Sequence, residues 1–360
     1  MNDQYYMQLA IDIAKSTKGQ TTPNPAVGAV IVKNNQVVGI GAHVKAGDSH
    51  AEVHAIQMAK EKTKDATMYV TLEPCSHFGK TPPCSKLLIE SGIKRVVIAT
   101  KDPNPKVAGK GIETMKSAGI NVEVGLLEKE AIQLNQVFFH FIRTGLPFVT
   151  LKSATSLDGK TATKTGRSKW ITSQEAREDV HYFRHIHDAI LVGVNTIIKD
   201  NPSLTTRLDG GGKNPIRIIL DTHLRTPIDA KVMEQQDAET WIVTSMHVDE
   251  KRKVTYQNKG VQIINMQTPT IEIKPMLKLL AEKGICSIFV EGGAEVHGSF
   301  LKERAFQQMI TYIAPKLIGG KSAPTSISGE GITEIEDAMK VDITDVKMIG
   351  KDIRITATPM

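Results

Sequence analysis

Two short segments constrain this 360-residue chain more than anything else in it: His50-Ala51-Glu52, and Pro74-Cys75 followed, after eight intervening residues, by Cys84. Together they supply one imidazole, two of only three thiols in the chain, and a spare carboxylate. A hydrolytic zinc site needs that inventory: three protein ligands, an open fourth position for water, and a base that moves protons without binding the metal. Zinc lowers the pKa of its bound water to about 7, and a carboxylate beside it can carry the water proton to a leaving amine. Whatever the fold, it must bring the start of one helix and the two ends of one loop to a single point.

The spacing sets local geometry. Residues two apart on a regular helix point in nearly opposite directions, so His50 and Glu52 converge only from an irregular first turn. The run Ala51 to Ala59 is rich in helix formers, with Asp48 or Ser49 as the expected cap. Cys75 follows an apolar, strand-like run, Met68 to Leu72, and Cys84 follows Pro82-Pro83 at a second helix start. A positive helix end favours the thiolate that zinc requires. Two other arrangements use the same residues. One is a closed structural set of Cys75, Cys84, His50 and His77, which leaves Glu52 without a task. The other is a Cys75–Cys84 disulfide, which the odd cysteine count and the lack of a signal peptide disfavour. Cys286 reads as a small apolar residue of a buried strand, and His54 as a helix-surface histidine.

The chain is too long for one typical core, so two domains are expected, 1–145 and 146–360, joined at Arg143 to Pro147. The net charge of +6 does not point to a polynucleotide. Residues 1–146 hold 17 Lys/Arg against 13 Asp/Glu and the remainder 28 against 26, an excess of +4 and +2 with no polybasic run. No apolar run reaches the ~20 residues of a membrane span. In the first domain, periodicity predicts a helix over Tyr5–Lys15, then strands over Val27–Val32 and Val37–Val44 joined by an Asn34-Asn35 turn. The helix after His50 and the Met68 strand follow, then the Cys84 helix, a strand over Arg95–Ala99, a helix over Lys110–Ala118, a strand over Asn121–Val124 and a helix over Lys129–Phe141. That alternation implies a parallel sheet with helices on both faces.

The second domain opens on an apolar strand from Phe148 that runs through an Asp158-Gly159 turn into a second strand, Thr161–Thr163. A helix follows through His185, capped by Thr172 or Ser173. Buried strands are expected at Ala189–Val192, Ile216–Leu220, Thr240–Thr244, Val261–Ile264 and Ser287–Val290. Directly after the last comes Glu291-Gly292-Gly293-Ala294-Glu295-Val296-His297-Gly298. Two glycines between a buried strand and a helix let backbone approach a phosphate at a positive helix end, although the same composition serves a plain tight turn. It is not a G-x-G-x-x-G fingerprint, so a Rossmann domain is not supported. On residue chemistry alone Trp170 reads as core and Arg184 as a solvated helix charge.

The pairing of H-x-E with P-C resembles the zinc-dependent cytidine-deaminase-like superfamily, departing from it in having eight residues rather than two between the cysteines. With Thr22 to Val30, this longer loop looks like the pyrimidine deaminase half of the bifunctional riboflavin-biosynthesis enzymes. Five further segments resemble, in order, the reductase half of that family: Ser156 to Gly159, Ser168 to Thr172, Asp188 to Gly193, Asp200 to Thr205, and Glu291 to Gly293. The resemblance implies a three-layer α/β/α deaminase domain and a dihydrofolate-reductase-like α/β domain. It implies zinc on His50, Cys75 and Cys84 with Glu52 as proton shuttle, and Asn24 gripping the base. It implies NADPH contacts at Ala154, Trp170, Thr196, Asp200 and Thr222, and along Gly293, Ala294, Glu295, Val296, His297, Gly298 and Ser299. It implies substrate contacts at Ser168, Arg184, Leu204, Arg207 and Glu291. Paired N–H donors suit Arg184 and Arg207 to a ribose phosphate.

The implied reaction is deamination of 2,5-diamino-6-(5-phosphoribosylamino)pyrimidin-4-one by zinc hydroxide, then reduction of the ribosyl group to ribityl by NADPH, with Lys152 and Asp200 as the acid–base candidates of the second step. The resemblance also implies a cytoplasmic homo-oligomer that takes a small phosphorylated pyrimidine and neither nucleic acid nor membrane. A nucleic-acid-editing deaminase would show clustered basic and aromatic residues, and aromatics are only 5% here. A zinc-stabilised scaffold would have no use for Glu52.

Overall fold

The structure, a computed structural model, describes residues 2–76, 82–105, 107–234 and 236–360. It forms two compact units, residues 1–145 and 146–360. No helix among the described residues is long and apolar enough to cross a membrane.

The first unit runs α1 (Asp3–Lys15), β1 (Gly28–Lys33), β2 (Gln36–Ala42), α2 (Ala51–Ala59), β3 (Thr67–Val70), α3 (Cys84–Glu90), β4 (Arg95–Ile98), α4 (Lys110–Ser117), β5 (Asn121–Val124), α5 (Glu128–Leu134) and α6 (Gln136–Thr144). Its sheet has the order β2-β1-β3-β4-β5. Only β3, β4 and β5 run parallel; β1 is antiparallel to both neighbours. The sheet is thus mixed rather than parallel, because Asn34 and Asn35 both take positive φ and fold β2 straight back on β1. Alternate residues serve opposite faces. Ala29, Ile31, Met68, Val96 and Ile98 pack under α2, α3 and α4, while Val30, Val32, Tyr69 and Val97 pack under α1 and α5. Gly39 and Gly41 decide how closely α2 lies on this sheet: a Cβ there would stand 2.2 Å from the Ala55 carbonyl oxygen and 2.1 Å from that of Ala51.

The helix expected over Lys129–Phe141 is two helices broken at Asn135. The buried Asn135 side chain leaves the helical pattern to bond the main chain of Ala26, accepting from its N–H at 2.8 Å and donating to its carbonyl at 2.9 Å. That amide pins the Pro-bounded loop carrying Asn24.

The second unit continues with β6 (Phe148–Ser156), α7 (Gln174–Ile186), β7 (Ala189–Gly193), α8 (Val194–Asp200), β8 (Ile216–Leu220), α9 (Lys231–Glu234), β9 (Thr240–Thr244), α10 (Glu250–Gln257), β10 (Gln262–Asn265), α11 (Ile273–Glu282), β11 (Ser287–Gly292), α12 (Ala294–Lys302), β12 (Gln308–Ala314), β13 (Val341–Ile349) and β14 (Asp352–Pro359). The sheet order is β10-β9-β8-β7-β11-β6-β12-β14-β13. The first seven strands are parallel and the closing hairpin is antiparallel. Helices cover both faces, with α11 and α12 on one and α8 and α10 on the other. Ser173 caps α7, its hydroxyl accepting from the Ala176 N–H. The strand expected over Thr161–Thr163 does not form. Its neighbour is the irregular segment 323–325, which offers one bridge, Lys160 to Thr325, and one carbonyl, that of Pro324, to the Thr161 N–H.

Candidate functional site

His50 stands at the N-cap of α2 in an extended conformation (φ −72°, ψ 162°), and its side chain makes no capping bond. It therefore replaces Asp48 or Ser49 as the cap residue, and its imidazole stays available. The extended-to-helical change between His50 and Ala51 lets His50 and Glu52 turn to one side. Cys84 opens α3, and its N–H donates to the Cys75 sulfur at 3.3 Å. His50 Nδ1 lies 3.2 Å from Cys84 Sγ and 3.7 Å from Cys75 Sγ, and the three atoms all fall within 4.8 Å of one another. A tetrahedral zinc with bonds of roughly 2.0 to 2.3 Å holds its ligand atoms roughly 3.5 to 3.8 Å apart, so this donor set fits the metal.

The electrostatics agree. The Cys84 hydrogen bond, with His50 behind it, holds the Cys75 thiol down at about 4 against the opposing effect of burial. The same hydrogen bond, burial and the Glu52 charge push Cys84 up. Glu52 is almost wholly buried, and burial raises its carboxyl above the ordinary range. Cys75, Cys84 and Cys286 are all free thiols, which excludes the disulfide. His77, the fourth ligand of the closed alternative, lies outside the described residues.

Asn24 is placed beside this centre through His43. Its amide nitrogen lies 3.1 Å from His43 Nε2, and the His43 ring meets the His50 ring edge-on at 5.5 Å. His43 Nδ1 lies 3.2 Å from the Ser49 carbonyl, so it carries the proton and Nε2 accepts from Asn24. Burial lowers the His43 pKa, which favours that neutral tautomer.

In the second unit a cleft of 1580 Å³ lies along the carboxyl ends of the parallel strands, where open α/β sheets bind ligands. Its wall includes Ala154, Trp170, Thr196, Asp200, Thr222, Gly293 to His297, Ser299, Ser168, Arg184, Arg207 and Glu291. Two expected residues stand apart from it. Leu204 is buried in the apolar cluster between β7 and β8. Gly298 packs against the Ser328 carbonyl, 1.9 Å from where a Cβ would sit. Val290 lies opposite Leu151 in the β11–β6 ladder, which sets Glu291 beside Lys152. Arg184 reaches from α7 to make a bidentate pair with Glu291 at 2.6 and 2.9 Å, both side chains about nine-tenths covered (12% and 11% exposed). Burial would raise the Glu291 carboxyl, but Arg184 and Lys152 hold it at about 2. Burial draws Lys152 below the ordinary lysine range. Trp170 is 64% exposed, with the Arg177 guanidinium 4.4 Å from its ring centre, so it is no core residue.

The family description "RibD C-terminal domain" matches residues 147–355, and "Cytidine and deoxycytidylate deaminase zinc-binding region" matches residues 1–100. The riboflavin biosynthesis protein RibD of Bacillus amyloliquefaciens is 54% identical over 357 residues, which span 99% of this chain and 96% of that protein. This chain belongs to the RibD family. Among solved structures, RibD of Acinetobacter baumannii superposes with a TM-score of 0.90 at 40% identity, covering 99% of both chains. The Thermotoga maritima diaminohydroxyphosphoribosylaminopyrimidine deaminase/5-amino-6-(5-phosphoribosylamino)uracil reductase does so with a TM-score of 0.89 at 37% identity, covering 99% of this chain and 98% of that one. The chain thus carries the deaminase and the reductase domain of RibD proteins, the bifunctional enzymes of riboflavin biosynthesis, and these domains fit zinc and NADPH.

Two histidines beside these sites, His43 and His181, were not expected from the sequence. His181, on α7, lines the cleft with Nδ1 buried and unpartnered. Burial and the nearby Arg184 and Arg207 lower it to about 4. No spacing signal marks either histidine, because each acquires its surroundings only when distant segments meet.

Proposed function

We propose that residues 1–145 are a zinc-dependent pyrimidine deaminase and residues 146–360 an NADPH-dependent reductase, acting in turn on 2,5-diamino-6-(5-phosphoribosylamino)pyrimidin-4-one. The observation that carries this reading is the convergence of His50, Cys75 and Cys84 within 4.8 Å beside a buried Glu52 that the ligand set does not need. Zinc, when bound, supplies Lewis acidity toward water at neutral pH. Glu52 accepts the proton of the attacking water and returns it to the exocyclic amine. The water oxygen bonds to the ring carbon that bears this amine, the bond from that carbon to the exocyclic nitrogen breaks, ammonia leaves, and the pyrimidinone becomes a uracil with its ring intact. Asn24, oriented by His43, offers its remaining amide edge to the base.

In the second unit NADPH, when bound, supplies the hydride for ribose C1′ in its open-chain imine form. We assign the accompanying proton to Lys152, which sits beside Glu291 and is eased toward its neutral form by burial, in preference to Asp200 at the exposed end of α8. Arg184 spends its bidentate edge on Glu291 and so serves mainly to hold that carboxylate. The exposed Arg207, with Ser168, is left to take the ribose phosphate. The Gly293 to Ser299 run presents backbone to the dinucleotide, and Leu204, with its side chain in the core, has only main chain to offer. The thin positive surplus and three free thiols support a cytoplasmic enzyme of a small phosphorylated substrate. Family likeness supports a homo-oligomer.

Incubating the purified protein with the phosphoribosylamino-pyrimidinone tests the reading. Ammonia release needs no nicotinamide, and nicotinamide oxidation needs prior deamination; no ammonia without NADPH sinks it. Arg207→Ala is expected to raise the KM of reduction roughly tenfold or more and to spare ammonia release. A parallel fall of both activities would show that the sites are not independent.

A further inference from the structure

The cleft wall follows the sheet order. Ala154 comes from β6, Glu291 from β11, Gly193 from β7 and Leu220 from β8. Neighbouring strands lie about 4.8 Å apart, so β6 and β8 stand about 14 Å apart, room for a dinucleotide laid across the strand ends. On the reading proposed above, the reacting end sits at Lys152 and Glu291 and the pyrophosphate at Gly293. The adenosine ribose then falls at the end of β8.

There the chain makes a tightly held turn. Asp221 Oδ2 accepts from both the N–H and the hydroxyl of Thr226 at 2.7 Å. The Tyr256 hydroxyl lies 3.1 Å from the Leu224 carbonyl and 2.6 Å from that of Thr226, and the Ser245 hydroxyl donates to the Thr222 carbonyl at 2.9 Å. Leu224 is fully buried, so its neighbours His223 and Arg225 are turned outward, and both line the cleft. Arg225 enters no ion pair among the described residues. A guanidinium on a pinned backbone, facing a nucleotide-sized cleft without an acidic partner, is preorganised for a dianion.

We propose that Arg225, with His223 beside it, reads the ribose 2′-phosphate that distinguishes NADPH from NADH. The guanidinium offers paired N–H donors to the phosphate oxygens and the imidazole a further one. This rests on the NADPH reading of the cleft. It is tested on the full chain by calorimetric titration with 2′,5′-ADP and 5′-AMP, which carry the adenosine end with and without the 2′-phosphate, and with NADP+ and NAD+. Arg225→Ala and Arg225→Gln are expected to weaken 2′,5′-ADP and NADP+ by roughly 10- to 100-fold, leaving 5′-AMP and NAD+ unchanged. His223→Ala has the same direction and a smaller effect. An unchanged ratio of the phosphorylated to the unphosphorylated ligand overturns the proposal, as does a ratio moved by Lys199→Ala, another exposed cation of the cleft wall, and not by Arg225. If the unaltered protein binds neither dinucleotide, the reading of the cleft falls and takes the proposal with it.

Discussion

Glu52→Gln is expected to cut ammonia release by roughly a thousandfold while the protein keeps its full zinc content. General acid–base assistance contributes roughly 10²- to 10⁴-fold to catalysis, and glutamine matches glutamate in shape but carries no proton between water and amine. The metal is expected to stay because the donors that meet are His50 Nδ1 and the sulfurs of Cys75 and Cys84. Elemental analysis beside a steady-state ammonia assay separates the two effects. Cys84→Ala is the contrasting variant: it removes one of the proposed metal donors, which also opens α3, so metal and activity are expected to go together. Zinc lost from Glu52→Gln would make Glu52 a ligand and end the assignment of the proton shuttle. Reduction of the separately supplied deaminated intermediate is expected to be normal in both variants.

The second large effect is expected at Glu291→Gln. Reduction should fall roughly a hundredfold or more and ammonia release should not change. The second unit should also lose stability, because Arg184 and Lys152 are left nearly buried without a counter-charge. Removing one partner of a buried pair costs about 3 to 5 kcal/mol, and for a domain of this size 1 kcal/mol is worth about 2 to 4 °C of melting temperature. The acid behaviour gives an independent check. The folded state holds the Glu291 carboxyl at about 2, below the about 4.3 of an unfolded glutamate. Its contribution is therefore complete above about pH 4.3 and is lost as pH falls toward 2. The unaltered protein should lose stability across that window, and the glutamine variant should lack that part of the slope. Identical acid slopes in calorimetric melts of the two proteins would rule out the pairing as the source of the effect.

The convergence of His50, Cys75 and Cys84 was legible because they are unusual residues at informative places, two of three cysteines and a histidine flanking strand ends and helix starts. The elements of the first unit, and the strands of the second from Ala189 to Val290, were legible in outline for a similar reason, since period and turn chemistry are local, whereas helices α8 to α11 were not among the expected elements. The break at Asn135 was not, because it depends on Ala26, more than a hundred residues earlier, offering main-chain groups to a side-chain amide. The absent strand at Thr161–Thr163 has a similar origin: alternation proposes a strand, but only a neighbouring strand makes one.

The sequence by itself determined the chemistry available: which side chains can bind zinc, which carboxylate is spare, and where two glycines follow a buried strand. The tertiary structure alone decided which of them work together. The register of β11 on β6 puts Glu291 beside Lys152, and the approach of α7 turns Arg184 from a solvated helix charge into the partner of a carboxylate 107 residues away. Charge and hydrogen-bond strength depend on burial and distance, and neither quantity exists until segments far apart in the chain have packed.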